Sequence, residues 1–269
     1  MSGEGRFFTT LGAEVPTDIP GGITTDGRIK SVQGNFMELN FDSWPAMNGK
    51  VLADGTTFAH AAPTGAAGDE NIMVFPEGAL EWHVLGTQTI LAPHLVATGL
   101  QVNQDQTAND GIEICGGILA CNKSTFVVGT DPAFYGKLSF SIADVSGTDE
   151  CAFGFRKVEA YQAAIADYTD LAYLSVVSGD IKIGTCLNNA AAITVVDTTN
   201  NWADAASHTL EVYVSDAGVV TFKIDGIAPA TTTTFTFDSG DRVVPFFYML
   251  NDTDLAGDVI FTHFECGPQ

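Results

Sequence analysis

Basic residues are scarce in this 269-residue chain: 11 Lys and Arg stand against 33 Asp and Glu, a formal net charge of −22. So acidic a surface repels nucleic acid and anionic lipid, and direct nucleic-acid binding is not expected. Long apolar runs are also missing, since no stretch reaches the roughly 18 residues of a membrane span, so no membrane role is expected. Met1-Ser-Gly-Glu-Gly-Arg6 leads into Phe7-Phe8 without an apolar leader core, and no secretory signal is expected. Cysteine is sparse and odd in number: Cys115, Cys121, Cys151, Cys186 and Cys266, with no CxxC pair. That pattern argues against a disulfide scaffold and against metal-ligand spacing, and points to reduced, mostly buried thiols. Cys115 and Cys121 could still face each other across a hairpin at Gly116-Gly117.

Signatures of chemistry are missing as well. The chain has no P-loop, no GxGxxG phrase and no Gly-x-Ser-x-Gly elbow, so no cofactor and no nucleotide are expected. No Glu-x-Asp occurs. Retaining glycosidases need two carboxyls about 5 Å apart, which alternate positions on one strand would supply. Glu211 stands alone on the outer side of its strand, with Tyr213 two residues on. The expectation is a chain without enzymatic activity, in which Glu211 behaves as an ordinary surface position. Metal ligation is not expected either. His83 and His263 fall in strands, where a hydrogen-bonded histidine is the ordinary case, and the acidic loops around Asn103–Asp110 and Asn251–Asp258 read as solvated turns.

What the chain does have is strands. Leu210, Val212 and Val214 alternate with Thr209, Glu211 and Tyr213, and a turn at Ser215-Asp-Ala-Gly218 follows. Val220, Phe222 and Ile224 then alternate with Thr221 and Lys223 up to Asp225-Gly226. A side-chain period of two between such turns marks an antiparallel sheet with one buried face. The continuous apolar run Val243–Leu250 adds another strand, and further short strands recur from residue 72 onward. The one helix candidate is the Ala-rich Val158–Tyr168. Many short strands with almost no helix predict an all-β, two-sheet antiparallel sandwich, best supported over residues 100–269 within a domain spanning 71–269.

Residues 1–70 differ from the rest. Pro16, Pro20-Gly21-Gly22, Asp26-Gly27, Pro45, Asp54-Gly55 and Pro63 to Gly68 break them into short runs, and residues 1–50 carry a net charge of only −2, four basic against six acidic. This segment reads as an extended N-terminal arm with a few strands. Phe7, Phe8, Phe36, Phe41 and Trp44 are expensive to leave in water at about 2 kcal/mol each, so they are the candidate anchors on a partner.

The stretch His208 to Gly226, with its "V-V-T-F-K-I-D-G" ending, resembles the hairpin of concanavalin A-like (laminin-G-like) jelly rolls, and Val243–Leu250 followed by Asp258–Phe264 resembles that family's last two strands. More narrowly, Phe134–Phe140, Phe153–Gln162 and Tyr168–Asp170 resemble sandwich domains of tailed-phage virion structural proteins. The resemblance covers roughly residues 100–269. It implies a jelly-roll fold and a virion structural role, most simply capsid decoration. The chain would be made in the host cytoplasm and displayed on the virion's outer surface as a homo-oligomer, its arm bound to a major capsid protein or another virion subunit. The alternative is a carbohydrate-binding, lectin-like module of a head or tail fibre, with Trp202 and Tyr213 as candidate glycan contacts. A polysaccharide hydrolase or lyase is the third reading.

Overall fold

The computed structural model describes residues 7–8, 14–15, 37–41, 71–75, 78–85, 93–102, 111–116, 125–146, 150–188, 192–250 and 259–269. Strands are numbered in chain order. The first sheet runs, in spatial order, β17 (Phe235–Thr236), β16 (Val219–Ile224), β15 (Ser207–Val214), β10 (Phe134–Ile142), β19 (Val259–Pro268), β7 (Gly99–Gln101) and β6 (His94–Val96), and β3 (Met37–Asn40) also pairs with β19. The second runs β14 (Thr194–Asn201), β13 (Asp180–Cys186), β12 (Leu171–Val177), β11 (Glu150–Lys157), β18 (Arg242–Leu250), β8 (Gly111–Gly116), β5 (Gly78–Leu85) and β4 (Asn71–Phe75), and β9 (Phe126–Val127) joins the end of β18. The backbones of β1 (Phe7–Phe8) and β2 (Glu14–Val15) pair with each other. Every pairing is antiparallel. The molecule is an all-β, two-sheet antiparallel jelly-roll sandwich.

The alternation in the sequence sets the core. Leu210, Val212, Val214, Val220, Phe222 and Ile224 all point between the sheets, as their spacing predicts, and meet Phe153, Phe155, Leu174 and Val176 from the second sheet. Aromatic pairs knit the middle: Phe126 stacks on Phe134 at 4.3 Å, and Phe155 meets Phe134 edge-on at 5.1 Å. Close approach of β11 and β12 requires Gly154, where a Cβ would lie 2.1 Å from the Ala172 carbonyl oxygen.

The central strands of the second sheet, β8, β11, β12 and β18, are buried on both faces, which explains the unbroken apolar run of β18. Its outer face holds a second cluster, with Tyr173, Val244, Phe246 and Tyr248 packed under Ile165 and Tyr168 of the connection 158–170. This connection was the helix candidate. Instead it is an irregular strap with one 3-10 turn at Ile165–Asp167. Its tyrosines are each bound to the sheet, and those separate attachments replace the repeating backbone bonds of a helix.

The arm needs a correction too. Met37, Leu39 and Phe41 point into the chain's own core, and Phe41 lies 6.4 Å from Phe261. Their alternation with Glu38 and Asn40 makes β3 a strand of the sandwich, so Phe41 is spent on this core and not on a partner. Phe36 and Trp44 lie outside the described residues, as do Cys121 and the two acidic loops. Cys115, Cys151, Cys186 and Cys266 are buried thiols.

Candidate functional site

The outer face of the first sheet is a ladder of polar side chains. Register places Lys223, Glu211, Lys137, Glu265 and Glu38 in one row across β16, β15, β10, β19 and β3. Charges alternate along four of these strands, and Lys137 Nζ lies 3.7 Å from a Glu211 carboxylate oxygen. Opposite charges facing each other across strands stabilise by about 0.2–1 kcal/mol, and like charges do the reverse. The row ends on a like-charge pair, Glu265 directly opposite Glu38.

Two neighbouring rows complete the face. On one side Tyr213 sits opposite Tyr135, their rings 5.8 Å apart and 25° from parallel. Lys223 lies over the Tyr213 ring at 4.6 Å and Lys137 over Tyr135 at 5.2 Å. The Tyr213 hydroxyl donates to Glu211 at 2.5 Å, and the Tyr135 hydroxyl donates to Glu265. On the other side Thr209, Ser139, His263 and Asn40 line up, with Ser139 and Thr209 hydroxyls 2.7 Å apart. Tyr213, Lys137, Lys223, Ser139, Thr209 and His263 are all partly open to solvent. Glu38, His263 and Glu265 bring their ligand atoms within 4.8 Å of one another.

The outer face of the second sheet carries similar residue types in a closed arrangement. Arg156 Nε donates to Glu113 at 2.6 Å, and the Tyr168 hydroxyl donates to the other oxygen of the same carboxylate. The guanidinium lies over Tyr168 at 4.6 Å and over Tyr161 at 5.3 Å. The Tyr161 ring stacks on His83 at 4.8 Å and 7°, while its hydroxyl sits 3.1 Å from Cys115 Sγ and donates to Glu81 at 3.5 Å. Burial raises the Glu113 carboxyl above its ordinary value, against the lowering pull of Arg156 and Tyr168. Burial likewise pushes the Tyr161 and Tyr168 hydroxyls far up, so both stay protonated as donors. Carboxylate, histidine and tyrosine in one place are what a hydrolase or lyase would need. Here Glu81 and Glu113 are 0% exposed, Arg156 1% and Tyr168 0%, sealed beneath the strap. As it stands the cluster fastens the strap to the sheet.

Of the sequence candidates, Tyr213 sits on the open face. Trp202 does not: it is 2% exposed, packed 4.6 Å from Phe140, with its indole N–H donating to the Ala206 carbonyl at 3.2 Å. It plugs the end of the core and offers no surface to a ligand. Glu211 is outward but only 5% exposed, because Lys137 and Tyr213 fold over it. Phe7 and Phe8 belong to the β1–β2 pair. Sequence reasoning missed Glu38, Tyr135 and Glu265, since they come from strands far apart in the chain. The outward alternation Tyr135/Lys137/Ser139 in β10 and His263/Glu265 in β19 was the available signal.

No protein-family model matches this chain, and no curated protein does. Among solved structures it is similar to the Emp47p carbohydrate recognition domain, at 12% identity over 70% of this chain and 88% of that one, with a TM-score of 0.46. It is similar to the carbohydrate-binding module CBM66 from Bacillus subtilis, at 12% identity over 67% and 91%, TM-score 0.43. It is also similar to alginate lyase PA1167 from Pseudomonas aeruginosa, at 10% identity over 74% and 86%, TM-score 0.43. The ligands and activities in these names belong to those proteins.

Proposed function

We propose that the chain is a non-catalytic carbohydrate-binding module and that the outer face of its first sheet takes the saccharide. The observation that carries this reading is the partly exposed Tyr213 ring, propped from behind by the buried Tyr135 and flanked on the same face by the ammonium of Lys137 and the hydroxyls of Ser139 and Thr209. A saccharide presents apolar C–H patches and many hydroxyls, so it calls for aromatic surface beside fixed donors and acceptors. Charge narrows the class. Lys137 is paired with Glu211 on the face, and the whole chain carries −22, so a polyanionic glycan is repelled and an uncharged one is favoured. The virion role implied by the phage resemblance depends on the arm, and that arm loses Phe41 as an anchor to the chain's own core.

Affinity electrophoresis through gels of neutral polysaccharides tests the reading. At least one gel retards the wild-type chain, Tyr213→Ala abolishes the retardation, and Trp202→Phe leaves it intact. Retardation that survives Tyr213→Ala removes this face as the site. One observation favours a second reading, a lyase or hydrolase: the cluster of Glu81, His83, Glu113, Arg156 and Tyr161. Release of new reducing ends from a polysaccharide, lost in Tyr161→Phe, would install the enzyme reading in place of the binding one.

A further inference from the structure

We infer, on the reading of this face as a saccharide site, that the Lys223 ammonium is a displaceable cover on the ligand face of Tyr213, one that a saccharide must push aside before it can stack. Position comes first. β15 runs between β10 and β16, so Tyr213 has Tyr135 directly across on one side and β16 on the other. The Tyr135 ring backs Tyr213 at 5.8 Å and 25°. Lys223 reaches over the ring from the β16 side, its Nζ 4.6 Å from the centroid. The face turned away from Tyr135 is therefore the one under Lys223. Thr221, directly opposite Tyr213 on β16, is short and exposed, so Lys223, two residues on, is the β16 side chain that covers the ring.

Competition for that face follows from its charge. The π face of an aromatic ring is negative and attracts cations. It also attracts the weakly positive C–H groups of a sugar ring, so ammonium and saccharide seek one surface.

What holds Lys223 decides whether it can leave. Register sets it directly opposite Glu211, yet Lys223 makes no ion pair among the described residues. The Glu211 carboxylate is already taken by Lys137 at 3.7 Å and by the Tyr213 hydroxyl at 2.5 Å. Lys137 is held twice, by Glu211 and over the Tyr135 ring, whereas Lys223 is held by its ring contact. At a partly exposed site such a contact amounts to about a two- to fivefold preference for the covered state. The flexible lysine stem lets the ammonium swing out to water when a ligand arrives. Apparent affinity falls by the fraction of chains in which the ring is uncovered, so removing the cover should tighten binding about three- to sixfold.

Full-length protein is run by affinity electrophoresis through gels cast with laminarin, galactomannan or hydroxyethylcellulose, each against a polysaccharide-free gel that corrects for charge. Lys223→Thr keeps a strand-forming side chain that is too short to cover the ring. It should bind about three- to sixfold more tightly than wild type in every gel that retards either protein. Lys223→Arg should bind no more tightly than wild type, since a guanidinium also stacks on an aromatic face. Lys182→Thr, which removes the same charge from the second sheet, should match wild type. The gain should vanish with all retardation when Tyr213→Leu is added to Lys223→Thr. Far-UV circular dichroism checks folding, and Lys223→Ser stands in if Lys223→Thr does not fold. Unchanged or weaker binding by Lys223→Thr overturns the cover and leaves the saccharide face standing, as does an equal gain in Lys223→Arg or Lys182→Thr. Retardation of neither wild type nor Lys223→Thr by any gel, or retardation that survives in the double variant, overturns the saccharide site and the cover with it.

Discussion

The outer faces of the two sheets are built from the same few residue types and do opposite things with them. On the first, partly exposed Lys137, Lys223, Tyr213 and His263 stand beside buried Glu211, Glu265, Glu38 and Tyr135, with Lys137 at 3.7 Å from Glu211 as the ordinary kind of contact. On the second, Glu, Arg, Tyr and His are packed under the 158–170 strap, with Arg156 at 2.6 Å from Glu113 and neither side chain more than 1% exposed. The difference comes from cover, not from composition. Where water reaches, each pair is a weak and adjustable contact suited to exchanging partners with a ligand. Where the strap seals the face, each group must find its partner inside the protein, and the network becomes part of the fold.

The sharpest way to break this comparison is to remove one half of the sealed pair. Arg156→Met leaves the buried Glu113 carboxyl without its cation, and it should destabilise the chain by about 3–5 kcal/mol in urea denaturation at pH 8. Losing the guanidinium raises the Glu113 carboxyl further. Acidification then protonates Glu113, and the penalty should shrink as pH falls. An equal loss at pH 5 and pH 8 would mean that Glu113 is not the group left exposed to the change.

Glu113 in the wild type should show the same sign more gently. Its folded value is raised above the ordinary 4.5 by burial, so folding takes up a proton there. The stability this contributes is fully present below about 4.5 and is lost as pH rises through the raised folded value. Relative to Glu113→Gln, which cannot titrate, the wild type should therefore lose stability across that interval. Parallel pH profiles for the two proteins would sink the assignment.

Next in size is Glu211→Gln. The sequence alone, showing a lone outward acid beside an outward Tyr213, predicts a change of only a few tenths of a kcal/mol, as at an ordinary surface position. The structure puts Glu211 at 5% exposure with both Lys137 and the Tyr213 hydroxyl on it. About 1–2 kcal/mol is now expected from chemical denaturation, because a charge-assisted hydrogen bond is weakened at a covered site. A loss below half a kcal/mol would restore the surface reading.

That error shows where the sequence stops being legible. Alternation tells which side of a strand a residue takes, and for Leu210 to Ile224 it was right at every position. It cannot tell whether the outward side is covered. The run Val243–Leu250 does carry that information, since a strand apolar at every position has two buried faces, yet the strap that covers it reads as a helix by composition. Met37, Leu39 and Phe41 alternate too, but three apolar residues inside a Gly- and Pro-broken segment do not announce a partner strand more than 200 residues away. Trp202 was misplaced for a related reason. An aromatic in a polar stretch looks exposed until Phe140, from a distant strand, is seen against it.

The smallest expected effect has the opposite sign and sits on the open face. Glu38→Gln removes one member of the facing Glu38–Glu265 pair while keeping its shape and its place in β3. Like charges directly opposite on neighbouring strands are destabilising by a few tenths to about 1 kcal/mol, so this variant should be more stable than the wild type by about that much. In the sealed network the opposite sign is expected, because Arg156 and Glu113 are oppositely charged partners there. A Glu38→Gln chain less stable than wild type would mean that repulsion between the two glutamates does not dominate at Glu38, and the electrostatic contrast between the two faces would go with it.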